Sequence, residues 1–195
     1  MPRVKLSTEL KKAISELSHK EKDKLLNRLI AKDDLLVEQL EFRLLENSST
    51  TQDRREAVKY TITDLFDQFK DGVSTKQMLW MIRKLSSIIS RHVRVTGDKY
   101  GDIELNLILV QTTFEEYAVT HLPKWNKPSF KLREYLVKKM LSVGKRANKI
   151  HSDYLLDFSE RLESIGEYFN QDERITDICE DLNVDVGELL EGRFS

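Results

Sequence analysis

Helix-breaking residues are scarce in this chain, and their scarcity limits the folds it can adopt more than any other feature. Only 7 glycines and 3 prolines occur among its 195 residues. A β-sandwich or β-barrel needs turns at short, regular intervals, and those turns rely heavily on Gly, Pro and Asn. Charged residues make up 33% of the chain and apolar residues 39%, which is typical of a globular protein rather than a disordered one. The composition therefore predicts an all-α fold.

Signals for the start of a helix recur along the chain. Ser18 is followed three residues later by Glu21, and Ser74 by Gln77. In this arrangement, the capping box, the serine accepts a hydrogen bond from a backbone N–H of the first turn, while the longer side chain reaches back to the serine N–H. Helix caps are also predicted at Ser49, Asp102 and Ser129.

Two long segments carry apolar residues in a pattern that predicts their place in the fold. Residues 103–120 are apolar on more than one side at their start, so we expect a buried, central helix. A β-strand is the alternative, because these residues also favour strands. From Phe130 to Phe169 one apolar helical phase persists. A single helix of ~40 residues would far exceed the usual length, so we predict two helices with a bend near Gly144 or Ser152.

The predicted architecture is a multi-helix bundle, or an irregular solenoid-like stack of helical hairpins, with about nine to ten helices. Short connections favour antiparallel packing of successive helices. No fixed repeat period occurs, which argues against a regular solenoid. We predict one all-helical domain over residues 1–195. Its possible sub-units are N-terminal helical hairpins over 1–72 and, over 73–195, a core bundle that ends in an acidic hairpin.

The C-terminal segment 174–192 has the outline of a helix-turn-helix, with a turn at Asn183. From Asp172 to Ser195, however, eight residues are acidic and two are basic. Phosphate charges on DNA would repel such a segment, since basic contacts supply most of the affinity for DNA. We therefore interpret it as a hairpin that closes the core, with a second helix over 185–191. Cys179 is then a small buried apolar residue rather than a nucleophile.

Charge is distributed unevenly along a chain whose formal net charge is −1. Residues 74–96 hold five basic residues and no acidic one, and residues 124–149 hold nine basic residues against one acidic. Residues 150–195 hold thirteen acidic residues and three basic. Basic and acidic regions are thus separated along the sequence.

On a helix, the basic residues of both regions fall into stripes that include an aromatic residue. Each stripe covers an arc of about 100–120° at helical spacing. The first consists of Lys76, Trp80, Arg83, Lys84, Arg91 and Arg94. The second consists of Lys131, Tyr135, Lys138, Lys139, Lys145, Arg146 and Lys149. Arg133 does not fit the second stripe and is predicted to point to the apolar side. These thirteen residues are the candidate binding residues.

The stripes have three interpretations. In the first, they are a solvated or internally paired surface, because Asp153, Asp157, Glu160 and Glu167 continue the same helical phase; Trp80 and Tyr135 then pack against a neighbouring helix. In the second, they are a surface for an acidic protein or a second copy. In the third, they are a nucleic-acid surface, with cations on phosphates and an aromatic ring on a base. We predict a non-enzymatic interaction or scaffolding protein that binds a protein partner, or itself, through charged helical faces. The alternative is a single-stranded nucleic-acid binder that uses the basic helix faces around Trp80 and Tyr135.

Sequence motifs for catalysis are missing. No two of the four histidines stand at the i, i+4 spacing of helical metal ligands, and neither a P-loop nor a GxSxG motif occurs. We therefore predict no catalytic residue, metal or cofactor, and no small-molecule ligand is evident. One cysteine and no apolar run of ~20 residues fit a cytoplasmic protein without a membrane segment.

Overall fold

The computed structural model describes residues 4–69, 72–150, 152–183, 185 and 187. Over these residues the chain forms ten α-helices and no β-strand, which confirms the predicted all-α fold. It divides into two compact units, residues 1–48 and 49–195. The possible sub-unit boundary at residue 72 was placed after the third long helix. In the structure that helix belongs to the second unit, because it packs against the two helices that follow it.

The first unit contains three helices and a π-helical turn. They are α1 (Thr8–Glu16), α2 (His19–Ile30), α3 (Asp34–Leu40) and the turn Glu41–Leu45. The predicted capping box at Ser18 is present at the start of α2. No side chain of α1 or α2 is buried, so the apolar positions of these two amphipathic helices remain at least partly accessible.

The second unit contains the other seven helices. They are α4 (Thr51–Gln68), α5 (Thr75–Thr96), α6 (Lys99–Tyr117), α7 (Lys127–Ala147), α8 (Ser152–Leu156), α9 (Ser159–Gln171) and α10 (Glu173–Asp181). A 3₁₀ turn, Val119–His121, follows α6. The predicted capping box at Ser74 starts α5.

Three predicted helix caps were wrong. The N-cap of α6 is Asp98, not Asp102, since Asp98 accepts a hydrogen bond from the Gly101 N–H at 2.8 Å. The N-cap of α4 is Thr50, not Ser49. Helix α7 begins at Lys127, before Ser129, because a proline fits in the first turn of a helix, where its missing N–H is not needed. Ser129 therefore lies inside the helix and is buried.

Helix α6 is the central element of the second unit, as its apolar pattern predicted, and it is not a strand. It packs against α4, α5, α7 and α9. Ile103 and Leu107 are buried on one side of the helix, and Leu105 and Leu109 are buried on the opposite side. A helix that is apolar on several sides is stable only when neighbours cover those sides. Consequently α6 holds the surrounding helices at fixed positions.

The continuous apolar phase from residue 130 to 169 is divided among α7, α8 and α9. The break predicted near Ser152 is present, since α7 ends at Ala147 and α8 begins at Ser152. A second break, before Ser159, was not predicted. Leu136, Phe158 and Phe169 nevertheless belong to the same core. The bends therefore redirect the chain without moving the apolar face away from the core.

Arg133 is a buried cation that joins three parts of the second unit. It is 1% exposed, and its Nε donates to Asp172 Oδ2 at 2.7 Å. Its terminal nitrogens donate to the backbone carbonyls of Val119, Leu122 and Pro123. Asp172 is also the N-cap of α10. One guanidinium thus fixes the loop before α7 and the start of α10, and, as predicted, it lies outside the basic stripe.

Helix α10 closes the core of the second unit. It packs against α7 and α9 and buries Ile175, Ile178 and Cys179. The turn predicted at Asn183 is present, with a left-handed φ of 52°. The second helix predicted over 185–191 lies largely outside the described residues.

Candidate functional site

The two predicted basic stripes lie side by side, on α5 and α7. These helices pack against each other and against α6, which connects them. Lys76 and Lys131, near their N-terminal ends, line one cavity, whereas Arg94 and Arg146, near their C-terminal ends, line another. The helices therefore run in the same direction, and the two stripes form one surface, which we call the basic face.

The first cavity of the basic face is the Trp80 cavity, with a volume of about 340 Å³. It is lined by Lys76, Leu79, Trp80, Arg83, Lys127, Pro128 and Lys131. Among these described residues are four cations and no carboxylate, around an apolar floor. The Trp80 side chain is 61% exposed, with the Lys84 amine 5.5 Å from its ring centroid. This cavity combines an accessible aromatic ring with positive charge.

The second cavity is the Lys139 cavity, with a volume of about 540 Å³. It is lined by Ser86, Ser90, Val93, Arg94, Asp102, Asn106, Tyr135, Lys138, Lys139, Ser142 and Arg146. The lining thus comes from α5, α6 and α7 together. Four cations face one carboxylate, so the cavity carries an excess of positive charge.

Tyr135 lines the Lys139 cavity and packs between α5 and α7. Its hydroxyl donates to Ser86 Oγ at 2.8 Å and so bridges α7 to α5. Arg83 lies 5.6 Å from the ring centroid and Lys139 lies 5.8 Å from it. The side chain is half-buried. Of the two predicted roles, the contacts of Tyr135 favour packing against a neighbouring helix, whereas the Trp80 ring is more accessible.

Charge on the basic face is partly compensated by neighbouring carboxylates. Arg146 Nε lies 2.6 Å from Asp102 Oδ2, and Lys138 Nζ donates to Glu134 at 2.6 Å. Lys139 differs from both of these cations. Burial and the nearby Arg146 lower the pKa of Lys139 to about 8, although Asp102 opposes this change. A cation with a lowered pKa in a cavity is a feature of functional sites, although structural charge networks also produce it.

The structure does not bring all thirteen predicted residues to the cavities. Lys84, Arg91, Lys145 and Lys149 are exposed and line neither cavity. Conversely, Lys127 lines the Trp80 cavity and was missed. The spacing of Lys127 from Lys131 is i, i+4, which would have placed it on the stripe had the helix been predicted to begin three residues earlier, at Lys127 rather than Phe130.

The start of α10 forms ion pairs with residues that line neither cavity. Asp172 pairs with Arg133 in the core, and Glu173 pairs with Lys124 at the surface. Among the residues that the structure describes, the lining of both cavities comes from α5, α6 and α7. Ten of the thirteen predicted side chains are exposed.

Other candidate chemistry is limited in the part of the chain that the structure describes. Within it, no group of three or more His, Cys, Asp or Glu side chains is arranged to hold a metal ion. Cys179 is buried, and burial raises the pKa of its thiol to about 11. At neutral pH it is therefore a protonated, apolar core residue, as expected from its helical position. None of the described helices combines the length and apolar character needed to cross a membrane.

Comparisons with protein-family models, with curated proteins and with solved structures found no match to this chain.

Proposed function

We propose that the protein is a non-enzymatic interaction module whose basic face binds an acidic segment of a protein partner. The observation that supports this proposal is the convergence of both basic stripes on one exposed surface between α5 and α7. Opposite charge on the two surfaces speeds association and selects partners, although exposed pairs add little to affinity one by one.

The Trp80 cavity gives the proposed interface an apolar anchor. Leu79 and Pro128 form part of its floor, and Trp80 forms one side. Buried aromatic and apolar contacts at the centre of an interface carry most of the binding energy, whereas a polar rim excludes water and sets orientation. A partner segment that places one apolar side chain among several carboxylates fits this arrangement. The surrounding lysines then meet the carboxylates.

Single-stranded nucleic acid is the second candidate ligand. The observation that favours it is the exposed Trp80 ring among the cations Lys76, Arg83 and Lys131. Stacking of one base on an aromatic side chain is worth about 1–3 kcal/mol. Because Tyr135 is held by Ser86, the face offers one stacking ring rather than two. An acidic protein segment needs no row of such rings, which is why we favour it.

Fluorescence anisotropy distinguishes the two ligands. The probes are a labelled peptide of glutamates around one leucine and a labelled single-stranded oligouridine, each titrated from low to physiological salt. We expect the peptide to bind, and we expect Lys76→Glu with Lys131→Glu to weaken binding about tenfold or more and to reduce its salt dependence. Tight binding of RNA without binding of the peptide would replace the proposal with its alternative.

A charge-matched control tests whether the effect belongs to the basic face. Lys20 and Lys24 are exposed on α2, so Lys20→Glu with Lys24→Glu changes the net charge equally. We expect this variant to weaken binding less than about twofold, because long-range charge effects are small at physiological salt. Equal weakening by both variants, or no binding of either probe, would contradict the proposal. Sedimentation velocity reports whether a second copy is the partner instead.

A further inference from the structure

The Lys139 cavity has an uncompensated cation. Within the described residues, its carboxylate Asp102 is already engaged by Arg146, and Lys138 is paired with Glu134. Lys139 is half-buried, and among the described residues its amine has no hydrogen-bond acceptor; the Tyr135 ring lies 5.8 Å away. A partly desolvated ammonium without an acceptor is unfavourable, and an anion beside it removes that cost.

The shape of the cavity favours a compact ligand. Its volume of about 540 Å³ falls in the range of small-molecule sites, about 300–1,000 Å³. Tyr135 and Ser86, which both line the cavity, bridge α7 to α5 through a hydrogen bond of 2.8 Å. Ser90, Ser142 and Asn106 add polar groups to the lining.

We infer that the Lys139 cavity binds the dianionic phosphate group of a small molecule, with Lys139 and Arg146 as its principal cations and Arg94 at the rim. Phosphate offers several strong acceptor oxygens, which match an ammonium and a guanidinium that line one cavity. Its source is either a phosphorylated small molecule or free inorganic phosphate. This inference goes beyond the proposed function, since it assigns a second ligand to the same face and does not depend on a macromolecular partner.

Binding of a dianion should also change the protonation of Lys139. The charged or titratable groups that line the cavity around it are Arg94 from α5, Asp102 from α6, and Tyr135, Lys138 and Arg146 from α7. In the free protein the pKa of Lys139 is about 8, lowered by burial and by Arg146. A bound dianion favours the protonated amine and raises this pKa. Near pH 8, therefore, ligand binding takes up a proton.

Isothermal titration calorimetry of the full chain tests the inference. The probes are ribose 5-phosphate and inorganic phosphate at pH 8 and moderate salt, each measured in two buffers that differ in ionisation enthalpy. We expect ribose 5-phosphate to bind with an uptake of about half a proton, because a group with a pKa near the pH is half protonated. Lys139→Gln should weaken binding about tenfold or more and abolish the proton uptake. Lys99→Gln, an exposed change at the start of α6 and outside the basic face, should alter affinity less than about twofold.

The outcomes distinguish a phosphate ester from inorganic phosphate as the ligand. They also test the phosphate site separately from the proposed acidic protein segment. Tighter binding of ribose 5-phosphate identifies a phosphate ester, and equal binding of inorganic phosphate identifies the free anion; either supports the site. Binding of neither probe, or binding that Lys139→Gln leaves unchanged, would overturn it. Proton uptake by the unmodified protein keeps the test decisive even if the variant folds poorly. The glutamate peptide is titrated in parallel, so that the acidic-segment proposal stands or fails separately.

Discussion

Replacing Arg133 with methionine is expected to lower the free energy of unfolding by about 3–5 kcal/mol, the usual cost of removing one partner from a buried ion pair. The substitution leaves Asp172, which is 4% exposed, as an unpaired carboxylate in the core. It also leaves three carbonyl groups before α7 without their donors. Methionine fills much of the volume of the arginine side chain. The loss of stability therefore comes from the missing charge and hydrogen bonds rather than from a cavity.

Urea unfolding followed by tryptophan fluorescence measures this loss. Both tryptophans, Trp80 and Trp125, lie in the second unit, so the signal reports on the unit that contains Arg133. Arg133→Lys should lower the free energy of unfolding less than Arg133→Met does, but more than a substitution at an exposed position. The reason is that lysine keeps the positive charge but lacks the planar guanidinium. Lys131→Met, exposed on the same helix, should change stability by less than about 0.5 kcal/mol. A loss below about 1 kcal/mol for Arg133→Met would contradict the described clamp.

Replacing Asp98 with asparagine is expected to destabilise the second unit by about 2–3 kcal/mol at pH 7. Asp98 caps α6 and accepts hydrogen bonds from Gly101 N–H and Arg55 Nε, both at 2.8 Å. His92 Nε2 lies 3.3 Å from the same carboxylate. A Cβ on Gly101 would overlap this carboxylate, so the glycine is part of the same arrangement. Asparagine keeps the size but removes the charge that faces Arg55.

The contribution of Asp98 should depend on pH below about 4. Burial opposes its ionisation, but the hydrogen bonds from His92, Gly101 and Arg55 outweigh burial and lower the pKa of Asp98 to about 2. The unfolded chain has a pKa near 3.9 and so binds more protons between these values. Stability therefore rises with pH across this window. The ionised carboxylate contributes about 2–3 kcal/mol, which is fully present above about pH 5 and is lost as the pH falls toward 2.

Unfolding measured from pH 7 down to pH 3 checks this dependence. The difference in the free energy of unfolding between the unmodified protein and Asp98→Asn should become smaller as the pH falls below 4. Asp181→Asn, an exposed change at the end of α10, should show a small difference that does not vary in this window. A constant difference for Asp98→Asn would show that its carboxylate is not responsible.

The local features of this fold were predictable because they depend on residues close in sequence. Apolar spacing and the capping boxes at Ser18 and Ser74 correctly indicated an all-α protein. The start of α6 was misplaced for the opposite reason. Gly101 looked like a loop residue, but it is needed in the first turn of α6 because the Asp98 carboxylate leaves no space there for a side chain. Arg55 holds that carboxylate, and it lies 43 positions from Asp98. Such pairings depend on tertiary packing and leave no local signal.

In the candidate site, too, features set by residues close in sequence were predictable, and features set by tertiary packing were not. Helical spacing alone placed the cations of each stripe on one side of its helix, and it also placed Arg133 on the other side. It could not show that α5 and α7 run in the same direction, because that depends on the return of the chain through α6. Nor could it show that the Tyr135 hydroxyl binds Ser86, 49 positions away. Consequently the charge of the face was predictable, whereas its two cavities were not.

Chemical-shift mapping of the ¹⁵N-labelled full chain tests the central claim, that the basic face is the binding surface, most directly. The glutamate peptide is titrated at physiological salt, and backbone amide shifts are followed residue by residue. We expect the largest changes at Lys76–Arg94 of α5 and at Lys127–Arg146 of α7. Changes that are largest in α1 and α2, or that are spread evenly over exposed lysines, would show that the peptide does not recognise the basic face and would contradict the claim.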